Sequence, residues 1–313
     1  MTPAGVDGPD DCSVRRMFGS NKPQPIEEHS AGDETERVYH DMRQVLRVSG
    51  LGLPIKTWAS FEPSFPLLWA AVRENAATYA FEQSADALRA SAVRGALELP
   101  QMQALAHVPL GESQTYQIGA ALALYHYINP KLLLLTSSVL LALEGDGIPG
   151  TPSANARRLP RGVPPRMFPM EMVSEDCDDP AVRQTFADIR DTFDLRPVDS
   201  DYRSLGLWPA YLSTAWHHLK PIIASPDYRA LASALRLQSR DLARALPYRV
   251  KLSRLDISTV GDNDEELIRV TQRFEALLPQ LMLNIGLLTL EGTSADLCTD
   301  SPFPVPASAG VTP

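Results

Sequence analysis

The chain has 313 residues, 44% of them hydrophobic, enough for one large domain or two smaller ones with their own cores. A formal net charge of −9 argues against a phosphate-tracking surface, so no nucleic-acid partner is expected. The three cysteines, Cys12, Cys177 and Cys298, are widely spaced with no CxxC pair, which excludes a disulfide framework and a zinc site and fits a reducing, cytoplasmic setting.

Residues 1–34 are rich in Gly, Pro, Ser, Asp and Glu, show no periodicity and contain no apolar stretch of a signal peptide; they are expected to form a disordered arm. A first helical unit covers 35–145. In it VYHDMRQVLRV (38–48) has apolar residues at helical spacing. RENAATYAFEQSADALRASAVRGALEL (73–99) reads as one long, alanine-rich helix. The most apolar run, LLLLTSSVLLAL at 132–143, is too short to cross ~30 Å of hydrocarbon and reads as a buried core helix, so no membrane association is expected. Residues 146–171 are crowded with Pro and Gly and read as a linker. A second unit, 172–300, carries TFADIRDTFDL (185–195), AYLSTAWHHLK (210–220) and YRALASALRLQSRDLARAL (228–246), all helical in pattern. The tail, 301–313, reads as extended or disordered.

The two units resemble each other. Tyr39, Asp41, Met42, Arg43 and Leu46 align with Phe186, Asp188, Ile189, Arg190 and Phe193 at an offset of 147 residues. The same offset pairs Phe61 with Trp208, Trp69 with Trp216, and LLALEG (140–145) with LLTLEG (287–292). The expected fold is all-α: two pseudo-symmetric helical repeats packed face to face, with a small-molecule site in the cleft between them.

No GxSxG elbow, P-loop, GxGxxG or HExxH motif is present, and the adjacent His217 and His218 point to different helix faces, so no metal ligands are assigned. Three features remain. Pro130 removes an amide from the helix and frees the carbonyl of His126, and Asn129 beside it is expected to be buried; it either stitches the kink or does chemistry. Thr78 and Glu82 share one helix face, and Glu82 is either an inward acid or an exposed residue on a surface stripe, the commoner place for Glu. In VDSD (198–201), Ser200 or Asp201 is placed to cap the next helix. The repeat offset sets Asp201 opposite Pro54 and Ser200 opposite Leu53, so this acid belongs to one half only.

YHDMRQVLRV, FPLLW (65–69), TYAFEQSADALR (78–89), INPKLLLLT (128–136), SDYRSLGLWP (200–209) and the closing SPFP together resemble the group I 2-haloacid dehalogenases, which act on D- or on both D- and L-substrates. The resemblance runs from about residue 36 to residue 304. It implies an all-α fold of two pseudo-symmetric repeats joined by a long linker, and a homodimer. It implies hydrolysis of the carbon–halogen bond of short 2-haloalkanoic acids with inversion, using no cofactor and no covalent ester. The family's catalytic aspartate falls on Asp201, its water-placing asparagine on Asn129, and a threonine and a glutamate important for activity on Thr78 and Glu82.

Ser200 and Tyr202, beside Asp201, join the expected substrate-binding set. Positions that are aromatic in the family hold Gly50 and Leu53, and a tyrosine that follows NPK in some members is Leu132. These changes predict a larger pocket, with a loop made mobile by Gly50 and Gly52, and point to a longer 2-haloacid. Asp201 has to be ionised to act as a base and is therefore expected to escape deep desolvation. Backbone amides or a helix N-terminus are expected to hold the substrate carboxylate. The competing reading is a non-catalytic helical protein that binds a hydrophobic carboxylate on the same scaffold.

Overall fold

The computed structural model describes residues 23–152, 154–195 and 197–305. Most of the N-terminal arm, with Cys12, and the end of the tail from 306 lie outside the described residues. The protein is all-α; among the described residues there is no strand, only the isolated bridges Thr78–Arg158 and Ile148–Val250, which tie the connecting segment to the two halves.

The first half contains α1 (Asp33–Leu46), α2 (Leu53–Trp58), α3 (Phe65–Ala76), α4 (Tyr79–Glu98), α5 (Ala104–His107) and α6 (Glu112–Glu144). The second contains α7 (Pro180–Phe193), α8 (Ser200–Leu205), α9 (Pro209–Ile223), α10 (Pro226–Arg244), α11 (Arg254–Thr259) and α12 (Asp264–Leu290), and α13 (Ala295–Thr299) closes the chain. The bounds of α1 and α7, and of α2 and α8, recur at the 147-residue offset.

Interactions recur with them. Trp69 Nε1 donates to Asp41 Oδ2 at 2.7 Å, and Trp216 Nε1 donates to Asp188 Oδ2 at 2.8 Å. Arg73 completes the first of these clusters and Lys220 the second, at the same offset. Glu28 accepts from the Leu51 amide and pairs with Arg43; Glu175 accepts from the Val198 amide and pairs with Arg190. Even the left-handed residues that end α1 and α7, Arg47 (φ 61°) and Asp194 (φ 49°), correspond.

The core forms where α6 and α12, the longest helices, pack along each other more extensively than any other pair. α10 lies on α6 and α4 lies on α12, so each half contributes to the other's hydrophobic layer. From Leu124 to Leu143 every residue of α6 is buried, which accounts for an apolar composition without a polar face. α6 is 33 residues long, far longer than the run read from the sequence; its most apolar stretch is 78% buried inside the protein, as a central core helix requires. The short helices also reach across. α8 packs on α6, and Trp58 of α2 donates its indole N–H to Thr271 of α12 at 2.9 Å.

Two expectations need correction. The 73–99 segment is two helices: α3 ends at Ala76, and Thr78 caps α4 by accepting from the Phe81 amide. A capping threonine satisfies an orphan amide that a continuous helix would not expose, and the turn redirects the chain. Residues 26–28 are tied into the fold. Ile26 donates its amide to Lys56 O at 2.9 Å and accepts from the Tyr39 hydroxyl at 2.8 Å, Glu27 pairs with Lys56 at 2.7 Å, and α1 begins at Asp33. These partners lie 13 to 30 residues away, so local composition did not announce them.

Candidate active site

α8 is six residues long and is held by its first turn. Asp199 is its N-cap and accepts from the Asp201 amide at 3.3 Å. Neither Ser200 nor Asp201 caps the helix, as the sequence reading had it. With the cap supplied by Asp199, the Asp201 side chain is free to turn inward, where it is 2% exposed.

Asn129 meets it there. Its Nδ2 donates to Asp201 Oδ2 at 2.7 Å, joining the first half to the second. The carbonyl of His126 freed by Pro130 is satisfied by Arg89 Nε at 2.9 Å, so Asn129 is not needed to stitch the kink. One turn earlier on α6, the Tyr125 hydroxyl donates to Ser200 O at 3.0 Å and shares a 2.6 Å hydrogen bond with Ser204 Oγ. Tyr125 and Asn129 are four apart and grip α8 from one face of α6.

Burial pushes the Asp201 carboxyl well above the usual carboxylate range, and the Asp199 carboxylate raises it further; the Asn129 amide works against both. Burial also raises Asp199, while hydrogen bonds from Asp201 and the nearby Arg203 lower it. The two buried carboxyls titrate together, and the upward shift is the greater at Asp201. The expectation of a lightly desolvated Asp201 is therefore corrected: the side chain is enclosed, and among the described residues no cation pairs with it.

Glu82 is buried, against the commoner expectation for glutamate, because Lys131 reaches it at 2.8 Å. Burial pushes the Glu82 carboxyl up, but Lys131 and Arg47 more than offset this and hold it below its ordinary value. Lys131 Nζ also donates to Leu46 O at 2.9 Å and lies 3.6 Å from the Tyr127 ring centroid. Burial pushes the Lys131 ammonium down to about 8, Glu82 notwithstanding. Thr78 stands one turn before Glu82; its hydroxyl donates to Asn75 O at 2.7 Å and caps α4. Its repeat counterpart, Ser225, caps α10 in the same way, so this capping belongs to the scaffold.

The remaining predicted residues separate. Gly50, Gly52, Leu53 and Leu132 are all buried near one another. A Cβ on Gly52 would meet Leu132 Cδ1 at 2.6 Å, and one on Gly50 would meet Met170 Cβ at 2.7 Å. The space that the missing aromatics were expected to leave is filled by Leu132 and Met170. The glycines serve close packing, which corrects the expectation of a loose, mobile loop. Tyr202 turns into the second half: its ring packs between Phe193 and Trp216, and its hydroxyl accepts from Asn284 Nδ2 at 2.7 Å. Ser200 is buried and contributes its carbonyl to Tyr125. A cavity of about 410 Å³ opens beside α8, lined by Tyr125, Ser204, Phe168, Leu207 and Trp208 among others.

Sequence reasoning missed Asp199, Tyr125, Lys131 and Arg89. Two signals were present. The carbonyl freed by Pro130 required a donor, and a lysine inside an apolar run required an anion.

A family model described as halocarboxylic acid dehydrogenase DehI matches residues 52–202, a span that contains both Asn129 and Asp201. The chain is 29% identical over 276 residues to an (R)-2-haloacid dehalogenase of Pseudomonas putida, covering 84% of this chain and 90% of that protein. It is also 29% identical over 236 residues to a configuration-inverting 2-haloacid dehalogenase of Pseudomonas sp. (strain 113), covering 73% of this chain and 76% of that protein. Solved structures of a D-2-haloacid dehalogenase with L-LA and of a mutant with D-2-CPA superpose with TM-scores of 0.79 and 0.80, at 28% and 26% identity, each covering 86% of this chain and 96% of theirs. Over most of its length the chain is thus similar to 2-haloacid dehalogenases, in sequence and in fold.

Proposed function

We propose that the protein is a hydrolase that cleaves the C2–halogen bond of short 2-haloalkanoic acids by direct attack of water, with Asp201 as general base and inversion at C2. The observation that carries this reading is the buried Asn129–Asp201 hydrogen bond, built from one residue of each half at a position where the repeat is broken. With Asn129 Nδ2 committed to Asp201 Oδ2, the amide oxygen of Asn129 and the second carboxylate oxygen of Asp201 remain to accept the two hydrogens of one water. A water held in this way directs a lone pair outward. Its oxygen attacks C2 as the halide departs from the opposite side. The proton passes to Asp201, and the products are a 2-hydroxy acid, a halide ion and one proton. General-base assistance of this kind contributes about 10²–10⁴ in rate.

The raised proton affinity of Asp201 makes its ionised form a stronger proton acceptor than an ordinary carboxylate. Glu82 and Thr78 do not reach Asp201; they support the reaction from behind α6, where Glu82 fixes Lys131 and Lys131 fixes the end of α1. Halide release from D- and from L-2-chloropropionate, measured for wild type and Asp201→Asn, tests the proposal. Wild-type release that disappears in the variant is expected. Release that survives the substitution would remove Asp201 as the base.

A further inference from the structure

The polar cluster around Tyr127 contains more positive than negative charge. Glu82 is matched by Lys131, and Arg89 Nη1 is matched by the half-exposed Asp86 at 2.5 Å. Arg47 is 4% exposed, yet among the described residues no carboxylate lies within ion-pair distance of it. Arg47 Nη1 and Arg89 Nη2 are buried without a hydrogen-bond partner; the Tyr127 hydroxyl and Glu82 Oε1 are buried beside them and act on each other. Arg89 and Lys131 both lie over the Tyr127 ring, at 5.8 and 3.6 Å from its centroid, and Arg47 acts electrostatically on Glu82, Tyr127 and Lys131. Unpartnered guanidinium N–H groups enclosed beside a second and a third cation are costly unless an anion completes the set.

The repeat separates scaffold from site. At the 147-residue offset, Arg47 becomes Asp194, Tyr127 becomes Phe274, Lys131 becomes Leu278 and Glu82 becomes Arg229. The left-handed turn that presents Arg47 is retained at Asp194, so the turn belongs to the fold. Arg47, the Tyr127 hydroxyl and Lys131 occur in the first half alone, whereas Arg89 is matched by Arg236. Asn129, the partner of Asp201, falls between Tyr127 and Lys131 on α6.

We propose that Arg47, Arg89 and Tyr127, backed by Lys131, form a binding site for a small monovalent anion. The proposed reaction provides two such anions, the substrate carboxylate and the departing halide; only this choice of source rests on the dehalogenase reading. The Glu82 carboxylate keeps the site from binding too tightly to release its ion, since it neutralises one of the cations that face it.

The test is direct binding without turnover. Sodium bromide and, separately, sodium propionate are titrated into the wild-type protein by calorimetry, and crystals grown with each are compared. Saturable binding of at least one anion is expected, with a bromide anomalous peak or a carboxylate in contact with Arg47 and Arg89. Bromide alone identifies a halide site, propionate alone a carboxylate site, and mutual competition a shared one. Arg47→Met is expected to bind about tenfold or more weakly, and Arg47→Lys to recover part of the loss. If neither anion binds saturably to wild type, or if both bind away from Arg47 and Arg89, the proposal is overturned. Anion binding by a protein that releases no halide from any 2-haloacid would retain the site and remove the enzymatic reading.

Discussion

Asn129 on α6 and Asp201 on α8 share a 2.7 Å hydrogen bond in the interior of the protein, and the two residues come from different halves. The bond lowers the proton affinity of Asp201 against the effects of burial and of Asp199. Asn129→Ala removes both this effect and an anchor for water. A fall of about 10²-fold in kcat is expected, because a positioned polar group at a reacting centre is typically worth that much. The acid limb of the rate profile should also move to higher pH. Steady-state kinetics across pH measures both; a change in KM alone would assign Asn129 to binding.

The wild-type profile carries its own prediction. A base must be ionised, and burial together with Asp199 raises the carboxyl of Asp201, so activity should fall with decreasing pH well before an ordinary carboxylate protonates. Asp199→Asn keeps a good helix cap and removes the neighbouring charge. Its acid limb should shift to lower pH with α8 intact. Tyr125, Tyr202 and Arg203 also face this pair, and none of them changes in the variant.

Stability and activity should part at Asp201. A carboxyl whose proton is held more tightly in the folded state favours the fold below its unfolded pKa, and that contribution is lost as pH rises through the folded value. Asp201→Asn removes an enclosed ionisable group while keeping its shape. The variant should be inactive yet melt at a higher temperature than wild type at pH 8, with the difference shrinking toward pH 4. Differential scanning calorimetry at several pH values measures this; a lower melting temperature at pH 8 would contradict the enclosed, uncompensated carboxyl.

The Glu82–Lys131 pair should respond asymmetrically. Glu82→Gln strands Lys131 among Arg47 and Arg89 and should cost about 3–5 kcal/mol, as breaking a buried pair does. Lys131→Met leaves Glu82 with Arg47 still nearby and should cost less. Chemical denaturation of both variants and of the double variant decides; equal single losses would mean that the surrounding arginines do not act on the pair.

Gly52→Ala puts a methyl group 2.6 Å from Leu132 Cδ1. Overpacking at an enclosed position costs about 1–3 kcal/mol. Leu132→Ala in the same chain should recover part of the loss, because the methyl then occupies the vacated volume. Additive losses would show that the two side chains do not compete for space.

The architecture was legible because it is written twice. Asp41 and Trp69 recur as Asp188 and Trp216, and in each half the indole donates to the carboxylate. Asp201 stood out for the opposite reason, as an acid at a position where the other half has Pro54. What stayed hidden depends on contacts distant in sequence. Glu82 reads as a surface residue until Lys131 is brought to it, and VDSD does not say which of its acids caps and which turns inward. Gly50 and Gly52 read as flexible because the side chains that fill their space, Met170 and Leu132, lie far along the chain.

A single turnover in ¹⁸O-labelled water, with enzyme in excess over substrate, tests the central claim most directly. Direct attack by a water that Asp201 deprotonates places the label in the hydroxyl of the 2-hydroxy acid and none in the peptide that carries Asp201. An unlabelled hydroxyl, with ¹⁸O recovered in the Asp201 carboxylate, would show that the carboxylate itself attacks C2 and would contradict the mechanism proposed for this site.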